Sequence, residues 1–97
     1  MYNLQDRAVF IPGRRVQHFK RETADTAALS AEPMLYLYEI VGIAEDTENG
    51  RELMIYRALY GTKRLYARPL DMFLSPVDRE KYPEICQKYR FVPCETI

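Results

Sequence analysis

Histidine and cysteine are scarce in this 97-residue sequence: it has one histidine, His18, and two cysteines, Cys86 and Cys94. A zinc site draws on about three or four protein ligands; His18 lies far from both cysteines in the chain, and the cysteines lack C-x-x-C spacing. No metal site is expected, and the cysteines read as unbridged thiols. Nucleophilic catalysis would need Cys86, Cys94, Ser30 or Ser75 beside His18 and an orienting carboxylate, and no spacing in the sequence brings such a set together. Glycine is also sparse. Gly42, Gly50 and Gly61 each fall in a strand or at a turn, and no glycine-rich phosphate loop is present.

The sequence lacks a long apolar run as well. The longest, MLYLYEIVGIA, carries Glu39 and is far shorter than the ~20 residues of a membrane span. The start, MYNLQDRAVFIPGRR, has no apolar segment of a secretory signal. A cytoplasmic protein with no membrane partner is the expectation. Neither sign of charge is in excess: fourteen basic residues face fourteen acidic ones, so no global field draws the chain toward nucleic acid or anionic lipid. Four acids, Glu45, Asp46, Glu48 and Glu52, surround one hairpin tip. They lack the spaced oxygen ligands of a calcium loop and read as an ordinary solvated turn.

What is present is a strand-rich pattern on a chain of one domain's length. About 60–65% of the unfolded surface of such a chain is buried on folding, and 47% of the residues are hydrophobic. The first ten residues read as a loose arm, and Ile11-Pro12-Gly13 as a turn. Arg14 to Lys20 reads as a short strand with Val16, and His18 beside it, facing inward. Residues 21–33 can hold one or two helical turns, ended by Pro33. Leu35 to Ala44 is tyrosine-rich and β-branched, hence a strand. Asn49-Gly50 signals a hairpin into a second strand, Glu52 to Tyr60, and Gly61-Thr62 another into a third, Lys63 to Leu70, with Pro69 at its end. Ser75-Pro76-Val77-Asp78 reads as the start of a short helix. A last strand is expected from Lys88 to Val92.

The stretch IYRALYGTKRLYARP, residues 55–69, alternates arginines with aromatic and aliphatic residues. With two-residue loops at both hairpins, one face carries Val41, Ile43, Tyr56, Ala58, Leu65 and Ala67, which are uncharged and pair large with small. The other face then carries Ile40, Gly42, Ala44, Ile55, Arg57, Leu59, Arg64, Tyr66 and Arg68. Arginines cannot be buried unpaired at low cost, so this is the outer face. Arg57 would lie across from both Gly42 and Tyr66, stacked on the ring for about 0.5–1 kcal/mol. A slip of one residue would exchange the faces, and a bulge would exchange part of them.

Several strings in order, HFK at 18–20, YEIVGIA at 38–44, ELMIYRALYG at 52–61, YARPLDMF at 66–73 and KYRF at 88–91, resemble the bacterial family called domain of unknown function 1653. The resemblance runs from about Pro12 to Pro93. It implies a mainly β fold, a small SH3-like barrel of about five short antiparallel strands with one short helix, and it brings no assigned activity or cofactor. Members of that family pass almost directly from HFK into the tyrosine-rich strand. Residues 21–34 therefore read as an inserted loop or flap within a single domain spanning 1–97, placed to cover Ile40, Ile55 and Leu59.

The functional expectation is a non-catalytic interaction module without a cofactor. Its outer face, with Ile55, Leu59, Arg57, Arg64, Tyr66 and Arg68, would take a protein segment or a second copy of the chain, since apolar surface rimmed by charge marks partner sites and Tyr and Arg are common hot-spot residues. The alternative is nucleic-acid binding by Arg57, Arg64, Tyr66 and Arg68, with phosphates on arginine and bases stacked on tyrosine.

Overall fold

β-branched and aromatic residues put five strands into one sheet, and turn chemistry sets where they reverse. In the computed structural model, which describes residues 4–94, the strands are β1 (Arg15–His18), β2 (Leu37–Glu45), β3 (Glu52–Ala58), β4 (Leu65–Pro69) and β5 (Phe91–Pro93). Two helices, α1 (Thr26–Ala31) and α2 (Leu70–Phe73), and 3-10 turns at Arg7–Val9 and Phe19–Thr23 complete the order. All pairings are antiparallel, and the sheet is open with strand order β4-β3-β2-β1-β5. The chain is mainly β with short helices.

Both hairpins turn differently from the two-residue expectation. At the first, the Asp46 N–H donates to the Arg51 carbonyl and Gly50 takes a left-handed φ of 74°, so Glu45 pairs with Glu52. At the second, the Lys63 N–H donates to the Tyr60 carbonyl, and both Gly61 and Lys63 are left-handed, at φ 61° and 57°. The additional left-handed residue lengthens this loop by one. Arg57 therefore pairs with Leu65, Tyr56 with Tyr66 and Met54 with Arg68. A third departure is the bulge between Ile40 and Gly42, after which Ile40 pairs with Tyr56 and Tyr38 with Ala58.

These shifts correct the face assignment. Tyr56 and Ala58 point inward as expected, but Ile40 is buried (1% exposed) while Val41, the bulged residue, is 43% exposed. On β4 the slip turns Leu65 and Ala67 outward and Tyr66 and Arg68 to the side of Tyr56. Arg57 lies across from Glu39 and Leu65, not Gly42 and Tyr66.

The inner face carries Val16, Tyr38, Ile40, Met54, Tyr56, Ala58 and Phe91, and is covered at one end by Phe10, Leu70, Phe73 and Leu74. Phe73 and Phe91 stack with ring centroids 4.2 Å apart, and Phe10 meets Phe73 edge-on at 5.2 Å. Residues 4–10 are thus no loose arm. The Gln5 N–H donates to Leu74, Asp6 caps the first 3-10 turn through Ala8, and Phe10 is buried; residues 1–3 lie outside the described residues. A second, smaller cluster joins Phe19, Val77 and Ile85, with Tyr82 against it.

The helix expected from Ser75 does not form. The helical turn lies earlier, at α2, and Ser75 closes it by donating its hydroxyl to the Met72 carbonyl. Pro76 instead bridges to Tyr89. Asp78 starts a turn, accepting the Glu80 and Lys81 N–H groups on its carboxylate. Within 21–34, α1 is capped by Asp25, stops short of Pro33 and buries none of its residues.

Candidate functional site

The end of the inner face that Phe10 and α2 leave open forms a cleft, and its walls come from strand ends and turns. At the end of β1 the chain bends into the Phe19–Thr23 turn, and the His18 side chain caps it: Nδ1 accepts the Lys20 N–H at 3.0 Å. A neutral imidazole that accepts at Nδ1 carries its proton on Nε2, so this ring offers one N–H donor. The ring stacks on Phe19 at 4.4 Å and meets Phe91 edge-on at 4.9 Å.

Tyr36 forms the opposite wall. It sits in the Met34–Leu37 turn, where the Leu37 N–H donates to Met34 and Tyr36 has φ 64°. Such a turn asks for glycine or asparagine at this place, and an aromatic residue there stores about 1–3 kcal/mol of backbone strain. The Tyr36 carbonyl accepts the backbone N–H of His18 at 3.0 Å. The ring lies 5.9 Å from His18 and 5.8 Å from Tyr60.

The floor is tyrosine on phenylalanine. Tyr38 and Tyr60 share a hydroxyl–hydroxyl bond of 2.8 Å, and Tyr56 and Tyr66 stack at 5.7 Å. Arg68 donates from Nε to the Tyr56 hydroxyl at 3.2 Å while its guanidinium lies 5.8 Å from the centre of the Phe91 ring. Burial raises the pKa of the Tyr38 and Tyr60 hydroxyls above the ordinary phenol value, and at Tyr38 the bond to Tyr60 adds to the effect.

The cleft has two lobes that share His18, Lys20 and Arg68. One, of about 210 Å³, is lined further by Tyr36, Tyr38, Tyr56, Tyr66 and Phe91. The other, of about 250 Å³, is lined by Phe19, Asp78, Lys81, Tyr82 and Arg90. The local field is positive. Desolvation, then Arg68, Lys20 and Arg90, lowers the His18 pKa from 6.5 to about 4, so the ring is neutral at ordinary pH. Among the described residues the one ion pair is Arg7–Glu52 at 2.7 Å; Lys20, Arg68 and Arg90 have no carboxylate partner there. Asp78, the one acid lining the cleft, accepts the Glu80 and Lys81 N–H groups on Oδ1 and faces Lys20, Arg68, Lys81 and Arg90 without an ion pair to any of them. A larger hollow of about 430 Å³ beside Leu4, Leu70 and Leu74 is more open, and its Arg7 and Glu52 neutralise each other through two 2.7 Å bonds.

Of the six residues expected at a site, the structure brings Tyr66 and Arg68 into this cleft. Ile55 and Arg57 project from the opposite face. Leu59 lies past the end of β3, its N–H bonded to the Leu37 carbonyl, and Arg64 is exposed in the loop before β4. His18 faces inward as the sequence suggested, its ring packed and one nitrogen bonded, and it lines the cleft with Lys20, Tyr36, Tyr38, Arg90 and Phe91, which were not anticipated. Their signal was the density of aromatic residues, beside basic ones in HFK and KYRF and as paired tyrosines in LYLYE. Cys86 and Cys94 are not joined in a disulfide.

One open antiparallel sheet with a one-turn helix before its last strand defines a small mainly β domain. The chain belongs to the family described as Protein of unknown function (DUF1653), whose model matches residues 14–93, from the residue before β1 to the end of β5. No curated protein and no solved structure matches it. No helix among the described residues is long and apolar enough to cross a membrane.

Proposed function

We propose that the chain is a non-catalytic binding module, that its working surface is the inner-face cleft over His18, and that the group held there is an anion. One observation carries this reading: Lys20, Arg68, Lys81 and Arg90 line one cleft against a single acid, Asp78, and none of them forms an ion pair with it, in a chain with as many acids as bases. Strain at Tyr36 supports it, because residues held in sparsely populated backbone regions cluster at functional sites. The return of β5 to β1, after a helical turn, supports reading the sheet as an SH3-like barrel drawn open between β4 and β5. Two unbridged thiols fit a cytoplasmic setting.

The test is an NMR titration of the intact protein with sodium phosphate and pyrophosphate at low salt. Shifts centred on His18, Lys20, Tyr36 and Arg68, reduced by Arg68→Gln, are expected. No shift, or shifts centred on Arg7 and Arg51, would overturn the assignment.

A second reading keeps the outer face as a surface for a protein segment or a second copy. Leu65, 52% exposed, lies there beside Ile55, Arg57 and Ala67, and contiguous apolar surface of this kind marks interaction sites. Sedimentation velocity tests self-association: a monomer at all concentrations removes the second copy from this reading.

A further inference from the structure

Resting on the anion-binding reading above, we infer that the cleft takes one or two nucleotides of a single nucleic-acid strand, a base in the tyrosine lobe and its phosphate in the cationic lobe. The two lobes differ in chemistry but meet over His18, Lys20 and Arg68. A ligand that fills both must join a flat group to an anion over a short distance, as a nucleotide does. The flat group has a platform, since Tyr66 is 40% exposed and stacked on Tyr56, and bases stack on aromatic rings with little regard to sequence. The tyrosine lobe is not purely apolar. The hydroxyls of Tyr36 and Tyr66 and the His18 Nε2–H have no partner among the described residues, so they can meet the polar edge of a base or a sugar hydroxyl. A phosphotyrosine ring would leave these groups unpaired, and a phosphoserine would leave the tyrosine lobe empty.

Size and charge limit the length. Each lobe is smaller than the ~300–1,000 Å³ typical of drug-sized ligands. Tracking a long strand takes a positively charged groove, and this chain has no net charge, with Arg57 on the far side of the sheet. The cleft therefore recognises a short stretch or a strand end.

The experiment is calorimetric titration of the whole protein with inorganic phosphate, thymidine, 5′-phosphorylated dithymidine, its uridine counterpart, longer oligothymidylates and a phosphotyrosine peptide. The dinucleotide is expected to bind about tenfold or more tighter than phosphate or thymidine. Affinity should level off beyond two or three nucleotides. Logarithmic salt dependence should be shallow, with a slope near −0.7 per phosphate held. Tyr66→Ala and Lys20→Gln should each weaken the dinucleotide by about tenfold while Arg57→Gln leaves it unchanged, and thermal melting checks that each variant is folded. If phosphate binds and the dinucleotide binds no tighter, the anion site stands and this inference falls. If nothing binds, both fall. A tighter phosphotyrosine peptide, or affinity that climbs steadily with strand length, also overturns it.

Discussion

Acidification between pH 7 and 5 should destabilise this domain through a single side chain. The His18 ring is packed between Phe19 and Phe91 and sits among Arg68, Lys20 and Arg90, so its pKa falls from 6.5 to about 4. The folded pKa is below the unfolded one. In that interval the unfolded chain therefore holds a proton that the folded chain lacks, and stability declines as pH falls. Its contribution is complete above the unfolded value and gone below the folded one. At about 1.36 kcal/mol per pKa unit the full shift would be worth ~3 kcal/mol. Water at the open edge of this half-buried ring reduces that, leaving about 1–2 kcal/mol to be lost between pH 7 and 5. Such a loss is visible against the ~5–15 kcal/mol of a typical domain. Glu22 and Glu52 have lowered pKa values, Glu22 from the Cys86 and Gln87 N–H groups and Glu52 from Arg7. Their contributions are present above the ordinary carboxylate value and disappear only below it, so the higher window belongs to His18. Urea unfolding across the window, with NMR titration of the ring, measures both quantities. His18→Asn keeps an acceptor for the Lys20 N–H and should flatten the profile. A ring that titrates near 6.5, or a wild-type profile already flat from pH 7 to 5, would refute the reasoning.

Phe91→Ala should cost about 3–5 kcal/mol in urea unfolding, because it removes the stack with Phe73 and the floor beneath Arg68; a cost below about 1 kcal/mol would contradict the packing. Tyr36→Gly relieves about 1–3 kcal/mol of strain against lost ring contacts with His18 and Tyr60. Its stability should stay close to wild type while phosphate binding weakens, and a large loss of stability would show that Tyr36 is a packing residue alone.

Element identity was legible in the sequence wherever propensity and turn residues agreed. β1, β3 and β4 fall inside the segments expected for them, β2 runs one residue past its own to Glu45, and the 26–31 helix stops before Pro33. Register was not legible, because it depends on single residues whose backbone choice has no side-chain signature. Lys63 in a left-handed conformation and one extra residue at Val41 were enough to exchange Leu65 for Tyr66 and Val41 for Ile40. The expected outer face divided for that reason: Tyr66 and Arg68 went to the cleft, while Ile55 and Arg57 stayed outside. Phe10 was hidden for another reason. Its burial depends on α2, about sixty residues later in the chain, and no local pattern carries that information.

The walls of the cleft come from separate stretches around residues 18–20, 36–38, 56, 66–68, 78–82 and 90–91. No fragment of the chain can reproduce them, so the cleft exists only where the whole domain is folded. By mass action, any molecule seated there stabilises the folded chain by RT ln(1 + [L]/Kd) and so raises the melting temperature. The unlabelled domain is thereby its own sensor, and thermal shift against a panel of metabolites would report an occupant of any chemical class.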